Sequence, residues 1–101
     1  MNVFNDLFGK TGDLKTVYLK GATILDVRSS EEFRTGHIKG AVNIPLGSLN
    51  ESIQDLQKAG KPVIACCKSG VRSRLAHIVL SRAGLEAYNG GPWETLESVI
   101  R

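Results

Sequence analysis

The segment Val63-Ile64-Ala65-Cys66-Cys67-Lys68-Ser69-Gly70-Val71-Arg72-Ser73 holds the residues best suited to chemistry in this chain of 101 residues. A β-branched run ends in cysteine, a short glycine-containing loop follows, and an amphipathic helix opens beyond it. A strand, loop and helix in that order put a thiol at the mouth of a ring of backbone N–H groups. Those amides and the positive end of the helix dipole stabilise negative charge. A cysteine held there is expected to be a solvent-facing thiolate, and a thiolate is a nucleophile. The segment predicts an enzyme that works through a covalent cysteine intermediate.

Two adjacent cysteines leave the spacing open. Counted from Cys67 to Arg72, four residues intervene; counted from Cys66, five intervene, the count of cysteine-dependent phosphatases. A shorter ring of amides fits one sulfur atom, and a longer one widens towards a tetrahedral phosphate. Gly70 stands third after Cys67, where the chain must turn tightly into the helix. Counted from Cys66, the third position is Ser69. Cys66 also continues an apolar strand, where cysteines are buried and inert. Both features favour Cys67 as the nucleophile. A Cys66–Cys67 bond formed on oxidation would be strained and reducible, and a packed strand residue is the preferred reading of Cys66.

Elements on either side must position this loop. Phe4, Leu7 and Phe8 predict a short helix stopped near Gly9, and Asp13 to Lys20 a second, with Leu14, Val17 and Tyr18 on one face. Residues 22–27 predict a buried strand. Ser29 with Glu32 forms a capping box for a short helix ending near Gly36. Residues 41–44 predict a second strand, closed by Pro45. Ser48 with Glu51 is a second capping box, with Leu49, Ile53 and Leu56 on the apolar stripe. Pro62 to Cys66 is the third strand. Val71 to Ala83 is the next helix, with Leu75, Ile78, Val79 and Arg82 at helical spacing and Gly84 as its stop. Leu85 to Tyr88 is a fourth strand. Gly91-Pro92 opens a last helix with proline at its first position and Trp93, Leu96 and Ile100 facing inward. Strands alternate with helices, so the fold class is α/β, a mainly parallel sheet flanked by helices on both faces. In such a sheet the functional site lies beyond the carboxyl ends of the strands, where Asp26 and Arg28 also fall.

Composition bounds the rest. The length predicts one domain over residues 1–101. The formal charge of +3 is scattered and the aromatic share is 6%, which disfavours nucleic acid and fits a small anionic substrate. Neighbouring cysteines imply no disulfide framework and so a reducing compartment. The chain carries no stretch long enough to span a membrane and no secretory start at Met1 to Lys10, so no membrane partner and a cytoplasmic setting are expected.

The Cys67-Lys68-Ser69-Gly70-Val71-Arg72-Ser73 segment resembles the active loop of single-domain rhodaneses, a sulfurtransferase family. Asp26-Val27-Arg28, Glu32-Phe33, Gly36-His37-Ile38, Gly40-Ala41 and Asn43-Ile44-Pro45 resemble that family's first signature. The likeness runs from about Ile24 to Trp93. It implies a rhodanese-like α/β fold and persulfide chemistry. Cys67 would take the outer sulfur of a donor such as thiosulfate, then pass it to cyanide or to a thiol, free or on a protein. Loop amides from Lys68 to Arg72 would hold the persulfide's charge. No metal or organic cofactor is implied, because sulfur itself carries the reaction.

The remaining polar residues carry two readings each. Lys68 either attracts an anionic donor or is a solvated loop lysine; rhodaneses often have arginine here, whose fork grips an oxyanion with two bonds. Arg72 points either to substrate or, the reading the resemblance favours, to a carboxylate that fixes the loop. Asp26 and Arg28 are partners for such a network, or a capping turn after a strand. Ser73 is expected to cap the helix, and Ser69 to be a loop hydroxyl near the site. His37 is expected to bond backbone in a turn, His77 to lie part-exposed, and no residue cluster has metal-ligand spacing. Trp93 follows Gly90-Gly91 after a shorter gap than in the family, which predicts an open cleft. Two other function classes stay in view: a phosphatase or arsenate reductase using Cys66, and a non-catalytic rhodanese-like binding module.

Overall fold

A computed structural model describes residues 14–101, and the organising strand is β3, Val63–Cys67, buried along its whole length. Successive side chains of a strand point to opposite faces. Val63, Ala65 and Cys67 therefore meet one apolar layer, and Ile64 and Cys66 the other. Only a sheet covered on both faces accommodates five buried residues in a row.

The elements in chain order are α1 (Leu14–Leu19), β1 (Thr23–Asp26), α2 (Ser30–Thr35), β2 (Val42–Asn43), a 3-10 turn (Leu46–Ser48), α3 (Leu49–Ala59), β3, α4 (Val71–Arg82), β4 (Ala87–Pro92) and α5 (Trp93–Ile100). The strands lie in the order β2-β1-β3-β4 and every pairing is parallel. Leu49 and Leu56 of α3 and Ala76 and Leu80 of α4 cover one face. Leu14 of α1 and Leu96 and Ile100 of α5 cover the other. The expected α/β sheet with helices on both faces is what the chain forms. The helix read around Phe4 to Gly9 lies outside the described residues.

Local chemistry accounts for most element ends. Ser29 caps α2 in a full capping box: its side chain accepts from the Glu32 N–H, and Glu32 accepts from the Ser29 N–H at 3.1 Å. Gly60 ends α3 in the left-handed region at φ 67°. The box expected at Ser48 is absent, since its side chain caps nothing. The 3-10 turn leads straight into α3, and Ser48 sits at φ −104°, ψ 1°, not in the extended conformation that aims a capping side chain.

Two sequence expectations near the site are corrected. Leu75 and Ile78 stand at helical spacing on α4 with Val79 and Arg82, yet they are 49% and 37% exposed. The buried face is Ser73, Ala76 and Leu80, whose two small members let the helix lie close on β3. Apolar spacing alone named the wrong stripe because a polar residue, Ser73, occupies the inner one. β4 runs later than expected, to Pro92, which caps α5 instead of opening it. Its pairing with β3 shifts between Ala65↔Asn89 and Cys67↔Pro92. Gly90 permits this close passage: a Cβ there would lie 2.8 Å from the Ala65 carbonyl oxygen.

Candidate active site

Cys67 is the last residue of β3, and residues 68–70 turn the chain into α4. The turn depends on Gly70, which sits at φ 100° where a side chain is strained. That conformation aims the Gly70 N–H at the Cys67 sulfur, 3.0 Å away. The Ser73 N–H follows at 3.4 Å. The Cys67 thiol in turn donates to Ser73 Oγ at 3.4 Å. Gly70, not Ser73, is the N-cap of α4, so the expectation of a serine cap is corrected: Ser73 lies within the first turn, beneath the sulfur.

Three forces act on this thiol. Burial pushes its pKa up. The Ser73 hydroxyl and the amides of Ser73, Gly70 and Ser69 favour the thiolate, and together they win, so the thiol falls below its ordinary value. One expectation fails. Cys67 has no exposed surface. A ring sized for a lone sulfur closes on that sulfur, leaving Lys68 and Ser69 outside on the exposed rim. Gly91 and Pro92 pack against Gly70, with the Gly91 Cα 3.5 Å from where a Gly70 side chain would begin.

Cys66 shares that burial and none of the donors. Burial first, and then the Asp26 carboxylate, push its thiol up to about 12. It belongs to the opposite apolar layer, beside Asp26 in the strand register.

Asp26 and Arg28 pair with each other. The guanidinium reaches Asp26 through Nε at 3.0 Å and Nη2 at 2.8 Å, and Nη2 also donates to the Gly36 carbonyl at 2.7 Å. Its face rests on the Trp93 ring, 5.0 Å from the centroid. Both residues are buried. The Asn43 amide donates to the carbonyls of Asp26 and Arg28, tying β2 to the same turn. The structure thus places this pair at the expected end of the sheet but on the Cys66 side, away from the Cys67 loop.

Arg72 turns to a different carboxylate. Its two terminal nitrogens meet Glu32 at 2.7 and 3.0 Å, a bidentate contact that holds Glu32 well below its usual range, at about 2. Neither Asp26 nor Arg28 serves as its partner. Val71 projects outward and is 65% exposed. His37 bonds the Phe33 carbonyl through Nδ1 at 2.6 Å and stacks on the Phe33 ring. No group of metal-ligating side chains occurs among the described residues.

Sequence reasoning missed two residues here. Glu32 was read as a cap and as part of the signature, not as the partner of Arg72, and its spare oxygen was the available signal. Asn89 accepts from the Ser73 hydroxyl at 2.7 Å and from the Gly91 N–H at 2.9 Å. An asparagine just before a glycine pair at a strand end is a weak hint of a turn, and nothing in its spacing points to Ser73.

Known proteins share this arrangement of chain. A rhodanese-like domain model matches residues 11–91. The uncharacterized protein YqhL of Bacillus subtilis is 42% identical over 69 residues, 67% of this chain and 54% of that protein. The putative sulfurtransferase YtwF of the same organism is 36% identical over 75 residues, covering 70% of this chain and 72% of that one. A rhodanese-related protein from Thermoplasma volcanium superposes with a TM-score of 0.70 at 33% identity, over 87% of this chain and 88% of that chain. The chain spans about half the length of YqhL. No helix among the described residues is long and apolar enough to cross a membrane.

Proposed function

Since the chain belongs to the rhodanese-like domain family, we propose that it is a sulfurtransferase that carries sulfane sulfur on Cys67. The observation that supports this most is the pair of N–H donors on one sulfur, Gly70 at 3.0 Å and Ser73 at 3.4 Å, with the Ser73 hydroxyl, which accepts from the thiol, close enough to turn to the anion. They favour the anion that must attack.

The reaction has two displacements. The Cys67 thiolate attacks the outer sulfur of thiosulfate; a sulfur–sulfur bond forms, the donor's own breaks, and sulfite leaves with the electron pair. A thiolate acceptor, small or on a protein, then attacks the outer sulfur of the persulfide, and Cys67 leaves as thiolate. Cyanide replaces that acceptor in an assay. Charges balance at each step, so no metal or organic cofactor enters. Lys68, exposed beside the loop, draws in the anionic donor. Such transfer requires residues 68–70 to open off the sulfur, since Cys67 has no exposed surface. Arg72, held by Glu32, braces the loop and leaves substrate binding to the amides. Two free cysteines suit a reducing, cytoplasmic setting.

Incubation with thiosulfate followed by intact-mass measurement tests the reading. The expected result is a gain of one sulfur atom, lost on adding cyanide and absent in Cys67→Ala. An unchanged mass, or the same gain in Cys67→Ala, overturns it.

A further inference from the structure

The Ser73 hydroxyl has one proton and three acceptors within reach. Asn89 Oδ1 lies at 2.7 Å, the Gly70 carbonyl at 3.1 Å and the Cys67 sulfur at 3.4 Å. A hydroxyl donates once at a time. The shortest contact is to Asn89, so with Cys67 protonated the Ser73 proton points there, and the Cys67 S–H donates to the oxygen behind it. The Gly91 N–H fixes this polarity. It donates to the same Asn89 oxygen at 2.9 Å, so the carboxamide cannot present its NH₂ to Ser73 without orphaning Gly91. A thiolate reverses the demand on Ser73. The sulfur then donates nothing and only accepts, and the Ser73 proton reaches it by leaving Asn89.

We infer that Asn89 is a positioning residue: it holds the Ser73 hydroxyl away from the sulfur while Cys67 is a thiol, releases it to the thiolate, and so sets how readily Cys67 ionises. The inference rests on the sulfurtransferase reading, in which Cys67 is the reacting group. When Cys67 ionises, its proton passes to solvent, and Ser73 rotates while keeping its own. No covalent bond to Ser73 or Asn89 is made or broken. The same rotation serves the sulfur when it leaves as thiolate at the end of transfer. The charged or titratable groups around the sulfur are Cys66 on β3, Lys68 on the loop and Arg72 on α4. β4 brings Asn89 and Pro92 against the loop, neither of them charged. A substitution at position 89 leaves all of these charges in place.

The test follows thiolate absorbance against pH in the full chain. Cys66 stays silent in the working range, since its thiol is pushed up to about 12. Asn89→Leu keeps the branched outline and removes the competing acceptor, together with the partner of the Gly91 N–H. The Cys67 midpoint should fall by about one pH unit, tenfold more thiolate below it, as expected for one neutral hydrogen bond no longer given up. Ser73→Ala should raise the midpoint, and adding Asn89→Leu to it should shift nothing further. Should Asn89→Leu lose its far-ultraviolet dichroism, Asn89→Ala carries the same expectations. An unmoved or raised midpoint overturns the inference, as does an equal fall in the Ser73→Ala background. Transfer to cyanide, measured alongside, separates the two claims. The expected titration without transfer keeps the role of Asn89 and defeats the sulfurtransferase reading, whereas transfer with an unmoved midpoint defeats only the role of Asn89.

Discussion

Cys66 and Cys67 share a strand, a residue type and a peptide bond. Both are wholly buried, yet one thiol is pushed up to about 12 and its neighbour is drawn below its ordinary value. Burial therefore does not distinguish them. The pleat sends Cys66 to the face of Leu14 and Leu96, beside the Asp26 carboxylate. It sends Cys67 to the face where the chain turns back and offers N–H groups. What separates the two thiols is the Ser73 hydroxyl and the run of amides that follows Cys67 in the chain. A one-residue slip of β3 would turn each thiol to the opposite face of the sheet.

The comparison can be broken first at the sulfurs themselves. Cys67→Ala should lower transfer to cyanide by ~10³-fold or more, as when a nucleophile is removed outright. Cys66→Ala should leave transfer within about threefold and cost only about 1 kcal/mol of stability, an ordinary core truncation. Equal losses of activity in both variants would show that the two faces are not chemically separate.

The Cys66 face can be broken next. Arg28→Ala strands the buried Asp26 carboxylate and frees the Gly36 carbonyl and the Trp93 ring. A loss of roughly 3–5 kcal/mol in urea unfolding is expected, as for other buried pairs that lose one partner. At a temperature where the variant still folds, its Cys67 titration should stay near that of the parent. A large shift in that titration would mean that the pair reaches through the sheet to the loop.

The brace of the Cys67 face gives the smallest effect. Glu32→Gln removes a half-exposed ion pair with Arg72, worth ~0.2–1 kcal/mol. The folded-state pKa of Glu32 lies near 2, below its ordinary 4.5, chiefly through the Arg72 hydrogen bonds. The carboxylate is favoured by folding, so its contribution is complete above 4.5 and disappears as pH falls towards 2. Glu32→Gln should therefore be less stable than the parent at neutral pH and converge on it in acid. A constant gap down to the lowest pH would assign the effect to the capping of Ser29 alone.

The alternation of strands and helices was legible in the sequence because buried strands and capped helices write short, periodic patterns. Cys67 was legible because its loop is local: strand, turn glycine and helix lie within one run of residues. What escaped was non-local. Arg72 meets Glu32, and Ser73 meets Asn89, across the sheet and far along the chain. No spacing rule links them. The inner face of α4 escaped for a different reason, since Leu75 and Ile78 obey helical periodicity on the wrong side. The closed ring over Cys67 also lay beyond sequence reasoning, because it depends on where β4 presses Gly91 and Pro92.

The shifted pairing at the end of β4 has a consequence for synthesis on the ribosome. The thiol emerges early, but the strand that props Ser73 and backs Gly70 is made some twenty residues later. A nascent chain halted before Asn89 holds the whole loop sequence with nothing packed behind Gly70, so the ring over the sulfur closes only when the final strand has docked.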